Sequence, residues 1–370
     1  MTHSQKQISF LTTVLMFLTI SIWMFFQATP IKYVIYSFPL LLLTIILLFD
    51  GSLQFKKPAL IALIAYSLLI IITVSQNGFN PFTIRDILTI GTSLLIFSVV
   101  IKYPPKIADW ALITISITLV LEFITKGASL AFDFSKSEGI LESPLAFPAG
   151  ALVIYFIHIK DKWRIAISIF LIFITFKRIA MIAIFFSVIS LHSIYFLKLA
   201  PFKHFLVLVI ALICSLIAFN MDAIFEIVAA FINDENVSPN SLALGRYDFW
   251  AIIKEYMYQE RTTMSTLFGF GSGSTNYILS QSAEIANPHN DWLKIVFDYG
   301  IIGAVIMHSV LYIMHKDSDL GLMLYLYLCF LMITDNTLIY MFYYIIAFVL
   351  IKIDPALTPD SQKKERHHVP

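Results

Sequence analysis

The sequence predicts an all-α, polytopic integral membrane protein of about twelve transmembrane helices, interrupted late by one large extramembrane loop. Three observations carry this. First, 59% of the 370 residues are hydrophobic and 13% are charged, with a mean hydropathy of +0.83; soluble domains sit near 45–50% apolar and about 25% charged. Second, the apolar residues gather into runs close to the roughly 20 residues that a spanning helix needs. Third, the polar residues concentrate in one stretch, 222–290. A formal net charge of +1 leaves no basic surface for a nucleic-acid partner. Cys214 and Cys329 both fall inside apolar runs, which argues against a disulfide framework or redox chemistry.

The apolar runs lie near 8–28, 31–49, 58–75, 83–101, 107–125, 144–159, 163–176, 179–197, 203–221, 291–314, 320–334 and 336–353. The first lacks a small-residue cleavage site and reads as a retained helix. The predicted organisation is therefore helices one to nine within 1–221, the loop with short amphipathic helices over 222–290, helices ten to twelve over 291–353, and a tail over 354–370. Lysine and arginine in short connectors mark the cytoplasmic side. Lys6, Lys56, Lys102, Lys160, Lys198 and Lys316, with the basic tail, all fall on one side of the alternation, so both termini are expected in the cytoplasm. The long loop and a smaller one at 126–143 then lie outside.

That topology isolates a few cations. Lys177-Arg178, in TFKRIAM, sits on the outer side between two apolar runs with almost no connector. Lys177 can snorkel to lipid phosphates; Arg178, followed at once by the next run, has less freedom, and ionisable groups at membrane depth tend to face an interior partner. In the long loop, SLALGRYDFWAIIKEYMYQ (241–259) reads as a helix in which Arg246, Trp250, Ile253 and Met257 form one stripe. An amphipathic helix on the membrane rim accounts for its apolar members, while Arg246 either snorkels or points into a site. LFGFGSGSTN (267–276) lacks the phosphate-loop pattern; a flexible turn supporting a site is expected there, with backbone N–H groups, such as that of Gly271, available to an anion.

NPHNDWLKIVFDYGIIG (287–303) closes the loop. Pro288 stops any preceding helix, and Asn290 or Asp291 can cap the next one. His289 is not needed as a cap, and its side chain titrates nearest to neutral, which suits it to take a proton from a hydroxyl. Lys294 and Asp298 are i, i+4 partners, and Gly300 and Gly303 allow close helix contact. No D-x-D, H-E-x-x-H or cysteine cluster is present, so phosphate chemistry here would rest on arginine, which suits an oxyanion, with no metal or other cofactor.

In this order the motifs resemble the O-antigen polymerase and O-antigen ligase superfamily of bacterial inner-membrane glycosyltransferases. The matching pieces are ESPLAFPAGALV, TFKRIAM, GRYDFW, LFGFGSGS and, above all, PHNDWLKIVFDYGIIG, which is similar to the family's H-N-x-x-L…E-x-G-x-x-G signature. The resemblance covers about residues 140–310. TFKR departs from the usual Ser-Arg, which leaves the role of Lys177 open, and Asp298 stands where Glu is common. It implies a GT-C-like membrane enzyme, acting at the periplasmic face on a glycan carried by undecaprenyl pyrophosphate. Catalysis is then assigned to His289, Arg178 and Arg246, and substrate binding to Lys177, Asn290, Asp291, Trp250 and Gly271. The acceptor is a second lipid-linked repeat unit for a polymerase, or the lipid A core for a ligase. Membrane lipid and a chain-length regulator protein are the further partners. The chain's modest length and compact loop favour the polymerase. A lipid-linked sugar flippase is the remaining reading; it would place ionisable residues near the bilayer midplane, whereas here they gather at the outer boundary.

Overall fold

The computed structural model describes residues 3–26, 30–50, 53–126, 143–175, 177–232, 237–243, 245–282 and 287–353. Most of the predicted outer loop at 126–143 and the tail at 354–370 lie outside them. The twelve apolar runs all fall on helices. In chain order these are α1 (His3–Phe25), α2 (Phe38–Asp50, entered through a 3₁₀ segment), α3 (Lys57–Asn77), α4 (Pro81–Asp86) continuing through a π turn into α5 (Thr92–Ser98), α6 (Lys106–Lys126), α7 (Ala146–His158), α8 (Lys162–Thr175), α9 (Arg178–Phe196), α10 (Lys203–Phe219), α16 (Asp291–His315), α17 (Asp319–Leu331) and α18 (Met341–Lys352). Between α10 and α16 the loop folds into α11 (Met221–Ile232), α12 (Pro239–Leu242), α13 (Arg246–Gln259), α14 (Thr263–Phe268) and α15 (Ser274–Ser282). Among the described residues, seven helices are long and apolar enough to cross a membrane; α7, α17 and α18 are shorter but equally apolar.

The difference between long and short helices is one of position. A helix that is hydrophobic all round is a buried one or a membrane span. Helices α7, α17 and α18 are sheathed by protein along nearly their whole length, and they form the centre of the main core. Around them α1, α3, α6, α8, α9 and α10 turn Leu, Ile and Phe side chains outward, where only lipid can receive them. The chain is an all-α, polytopic membrane protein.

Both cysteines are free and buried. At the end of α16 remote from Asp291, Lys56 pairs with Asp317 and Lys203 lies 2.9 Å from Asp319. These ties consume part of the basic charge that the sequence placed on one side.

The loop helices build a second, smaller core from Ala243, Trp250, Ile253, Leu279, Leu293 and Phe297. This corrects one expectation. Residues 246–259 are helical, but the Trp250 and Ile253 stripe is buried against α15 and α16 and does not ride on a membrane rim. The stripe is apolar because it fills this core. The loop helix with an exposed apolar face is α11.

Candidate active site

Helix α16 brings most of the predicted site into register. Asn290 is its N-cap: its side-chain carbonyl accepts from the Leu293 N–H at 2.9 Å, and its amide donates to the Ala218 carbonyl at 2.7 Å. Asp291 does not cap, although either residue was expected to. It is the first helical residue and fully buried, and its carboxylate accepts from the Thr337 hydroxyl and the Leu338 N–H, each at 2.9 Å. Its own N–H donates to the Met332 carbonyl at 3.0 Å. The first residue of α16 is thus bolted to the connector between α17 and α18.

That connector, 332–340, is where the other candidates converge. Lys177, the N-cap residue of α9, is buried and reaches the Asp335 carboxylate at 2.9 Å, with the Phe147 ring 5.8 Å away. This disposes of snorkelling for Lys177. Arg246, first residue of α13, donates to the Thr334 carbonyl at 2.8 Å. The N–H of His289 donates to the Asn336 side chain at 3.0 Å. The Asn336 N–H in turn caps the other Asp335 oxygen at 2.8 Å. Four consecutive residues, Thr334 to Thr337, therefore receive or fix Arg246, Lys177, His289 and Asp291.

His289 has φ +50°, a left-handed conformation uncommon outside glycine. Such a conformation persists only where the surroundings impose it. Here they do so from both sides: the buried Trp250 indole donates to the Pro288 carbonyl at 2.8 Å, and the buried Asn290 anchors the following residue. Trp250 thus acts on the site through the backbone of Pro288. Arg178 differs from its neighbours. It is exposed at the first turn of α9, beside the buried Lys177, and it has no ion-pair or hydrogen-bond partner among the described residues.

The glycine-rich stretch does hold an anion, and that anion is Asp298. Its carboxylate accepts from the Gly273 N–H (3.1 Å), the Thr275 N–H (2.8 Å) and the Thr275 hydroxyl (2.7 Å). The N–H groups of Phe270 and Gly271 donate to the carbonyls of Phe297 and Asp298, each at 2.9 Å. Those carbonyls are available because Gly300 (φ +67°) interrupts the α16 ladder. The Gly271 amide, assigned above to a substrate anion, is committed to this clasp. The loop is also pinned rather than flexible, since Asn80 and Thr83 of the α4 entry both donate to the Ser272 carbonyl, at 2.9 and 2.7 Å.

Beneath the clasp lies a charge cluster of which the sequence showed only the Lys294 and Asp298 pair. Lys294 sits 2.5 Å from both Asp298, its i, i+4 partner, and Asp86 at the end of α4; all three are buried. Arg85 flanks Asp86 at 3.6 Å and donates to Asn276 at 2.6 Å, and Asn276 donates to Asn287 at 2.8 Å. The chain thus runs from α4 to the residue before Pro288. The signal for it was present, since Arg85-Asp86 opens the fourth apolar run, at the same outer boundary as the other stranded charges.

Residues 163–307 match a family model described as O-antigen ligase. The segment runs from α8 into α16 and contains every one of the predicted site residues. The match supports the resemblance to the O-antigen polymerase and ligase superfamily over this segment, which is less than half of the chain. Comparison with curated proteins gives no match. The apolar helices make this a multi-pass membrane protein, and the similarity over this segment supports a glycosyltransferase-like role on lipid-linked glycan. Asp86 and the 334–337 connector lie outside the matched segment, yet they hold its charged residues in place.

Proposed function

We propose that this chain is a polymerase that joins undecaprenyl-pyrophosphate-linked oligosaccharide repeat units into O-antigen or a related surface polysaccharide, at the periplasmic face of the inner membrane. The observation that supports it is the convergence of Arg246, Lys177, His289 and Asp291 on four residues, with Arg178 left exposed beside them. In the reaction the bond between the donor sugar's anomeric carbon and the pyrophosphate oxygen breaks, and the electron pair leaves with the lipid pyrophosphate. An acceptor hydroxyl oxygen forms the new bond to that carbon and gives up its proton. Arg178 meets the pyrophosphate, because its guanidinium is exposed and has no partner among the described residues. Arg246 spends one of its five N–H donors on Thr334 and turns the others to the same charge. Fixed cations at the point where charge develops lower the barrier. His289, held in a conformation its backbone does not favour, orients the acceptor hydroxyl and receives its proton. Lys177, Asn290, Asp291 and Trp250 position these groups. The compact loop suits an acceptor that is itself a lipid-linked glycan.

A ligase that delivers the glycan to the lipid A core is the second reading, favoured by the description of the matching family model. Deleting the gene and resolving the surface polysaccharide on a gel separates the two. Lipid A core bearing one repeat unit identifies a lost polymerase. Uncapped core, with polymer accumulating on the lipid carrier, identifies a lost ligase. His289→Ala, Arg178→Ala and Arg246→Ala should each abolish product while the protein stays in the membrane; wild-type chain lengths in all three would refute the site.

A further inference from the structure

Helix α11 has no buried residue, although it carries seven Ile, Val and Phe or Met side chains in twelve positions. Its two faces are separated at helical spacing. On one, Asp222 lies 2.5 Å from Lys254, Glu226 accepts from the Tyr247 hydroxyl at 2.5 Å, and the Phe225 ring stacks on Trp250 at 5.8 Å, all on α13. On the other, Ile224, Ile227, Val228 and Phe231 recur at i, i+3, i+4 and i+7 and are uncovered, Ile227 by 69% and Phe231 by 89%. A surface helix of a soluble domain would turn that stripe inward.

We infer that α11 lies in the plane of the bilayer, its Ile224–Phe231 stripe set into the headgroup–acyl boundary of the leaflet on the loop side, and moors α13 there. The occupant of the stripe is lipid. α10 already turns Leu212, Ile213, Leu216 and Ile217 outward, and only Asn220 separates it from α11, so the apolar face continues the lipid-facing band of α10. The two helices in line would extend about 45 Å, well beyond the roughly 30 Å hydrocarbon core. The stripe carries no Lys, Arg or His, and both acids of α11 are paired with α13. Attachment therefore comes from apolar burial, the mark of an interfacial helix that does not depend on anionic lipid. The consequence rests on the proposed function: α13 begins with Arg246, so the depth of α11 sets the height of that arginine relative to the lipid pyrophosphate.

The test reads the helix, not the product. Single nitroxides are placed at 222, 224, 225, 226, 227, 228 and 231 of the full chain in nanodiscs of zwitterionic lipid, with Cys214 and Cys329 replaced by Ala. Collision with oxygen, relative to collision with a water-soluble nickel chelate, should peak at 224, 227, 228 and 231, and should be lower at 222, 225 and 226. Tyr258, exposed at the far end of α13, supplies the aqueous reference. Nickel collision at 227 and 231 equal to that at 258 overturns the inference, as does exclusion of both reagents, which would mean a protein partner covers the stripe. A nitroxide pair at 231 and 258 then tests the mooring. Its distance distribution should broaden in the Lys254→Ala/Tyr247→Phe variant, and an unchanged distribution overturns that part. Neither readout depends on whether the enzyme proves to be a polymerase.

Discussion

Replacing Lys294 by Met tests whether the buried cluster organises the site. The side chain keeps its length and loses its charge, which leaves two buried carboxylates, Asp86 and Asp298, facing each other across an apolar stem. Asp298 retains three donors from Gly273 and Thr275, whereas Asp86 retains, among the described residues, only Arg85, at 3.6 Å. Removing one partner of a buried ion pair costs about 3–5 kcal/mol, because the remaining charge stays uncompensated. At about 2–4 °C per kcal/mol the unfolding midpoint should fall by about 6 °C or more. The assay is thermal unfolding of the detergent-solubilised protein, followed by intrinsic fluorescence, beside the yield of polysaccharide in a complemented deletion strain. Asp86→Asn added to Lys294→Met should recover a large part of the loss, since it removes the charge with the poorest remaining support. This non-additivity is the decisive measurement. A wild-type midpoint for Lys294→Met, or a double variant that melts below it by the full cost of Asp86→Asn alone, would show that the three residues are not one electrostatic unit.

Gly300→Ala should destabilise by more than the roughly 1–2 kcal/mol that a left-handed backbone costs an L-residue, because the added methyl also meets the backbone of Leu267 and Gly269; Gly78→Ala, at φ +78° with nothing within 4 Å of the added methyl, serves as the comparison in the same melt. Asn290→Ala should cost about 0.5–2 kcal/mol as a lost N-cap and should also reduce product, because the Ala218 carbonyl loses its donor and the His289 backbone is released. At the opposite end, burial pushes the Asp317 carboxyl up, but the hydrogen bond and charge of Lys56, joined by Lys316, outweigh it and hold it below the usual carboxylate range. A depressed folded value means that the stabilisation is present above the unfolded value and disappears as pH falls through the folded one. Asp317→Asn should therefore lower the melting midpoint at neutral pH and converge with wild type in acid; a constant difference across the titration would refute the pairing.

The architecture was legible because membrane helices must satisfy their backbone internally and face lipid, which writes long apolar runs into the sequence. The local pairs were legible for the same kind of reason: Lys294 and Asp298 are four residues apart, and the Asn290 cap adjoins the helix it serves. Long-range partners leave no such mark. Asp86 is 208 residues from Lys294, and Asp335 is 158 from Lys177. Two of these were still within reach of the charge argument, for Arg85-Asp86 and Asp335-Asn336-Thr337 are polar clusters at the same outer boundary that stranded Lys177 and Arg178. Thr334, Asn336 and Thr337 were absorbed into the apolar runs 320–334 and 336–353 because their neighbours are so apolar. The α13 stripe misled for a different reason: the same 3.6-residue period describes a helix on a membrane and a helix on a small protein core, and only the presence of Phe297, Leu293 and Leu279 decides between them.

These partners sort the outer-face cations into two kinds, and the sorting bears on chemistry. A cation whose charge is already met by a buried carboxylate cannot also neutralise a departing pyrophosphate without breaking its own pair. Lys294 is shared between Asp86 and Asp298, and Lys177 is bound to Asp335, so both act as internal ties. Arg246 is tied only to a neutral carbonyl, which orients the guanidinium and leaves its charge unspent. Arg178 is tied to nothing among the described residues. Among the described cations beside the Thr334–Thr337 connector, the positive charge left for a phosphate ligand is thus carried by two arginines, whose forked donors match a bidentate oxyanion better than an ammonium does. Arg178→Lys and Arg246→Lys should consequently lose most of the product despite the conserved charge. Lys177→Arg should lose it for another reason, since the larger head does not fit the buried place beside Phe147 and Asp335. Melting separates the two cases: the arginine variants should melt as wild type does, and the Lys177 variant should not. Equal melting and equal loss in all three would remove the distinction between tied and available cations, and with it the assignment of Arg178 and Arg246 to the pyrophosphate.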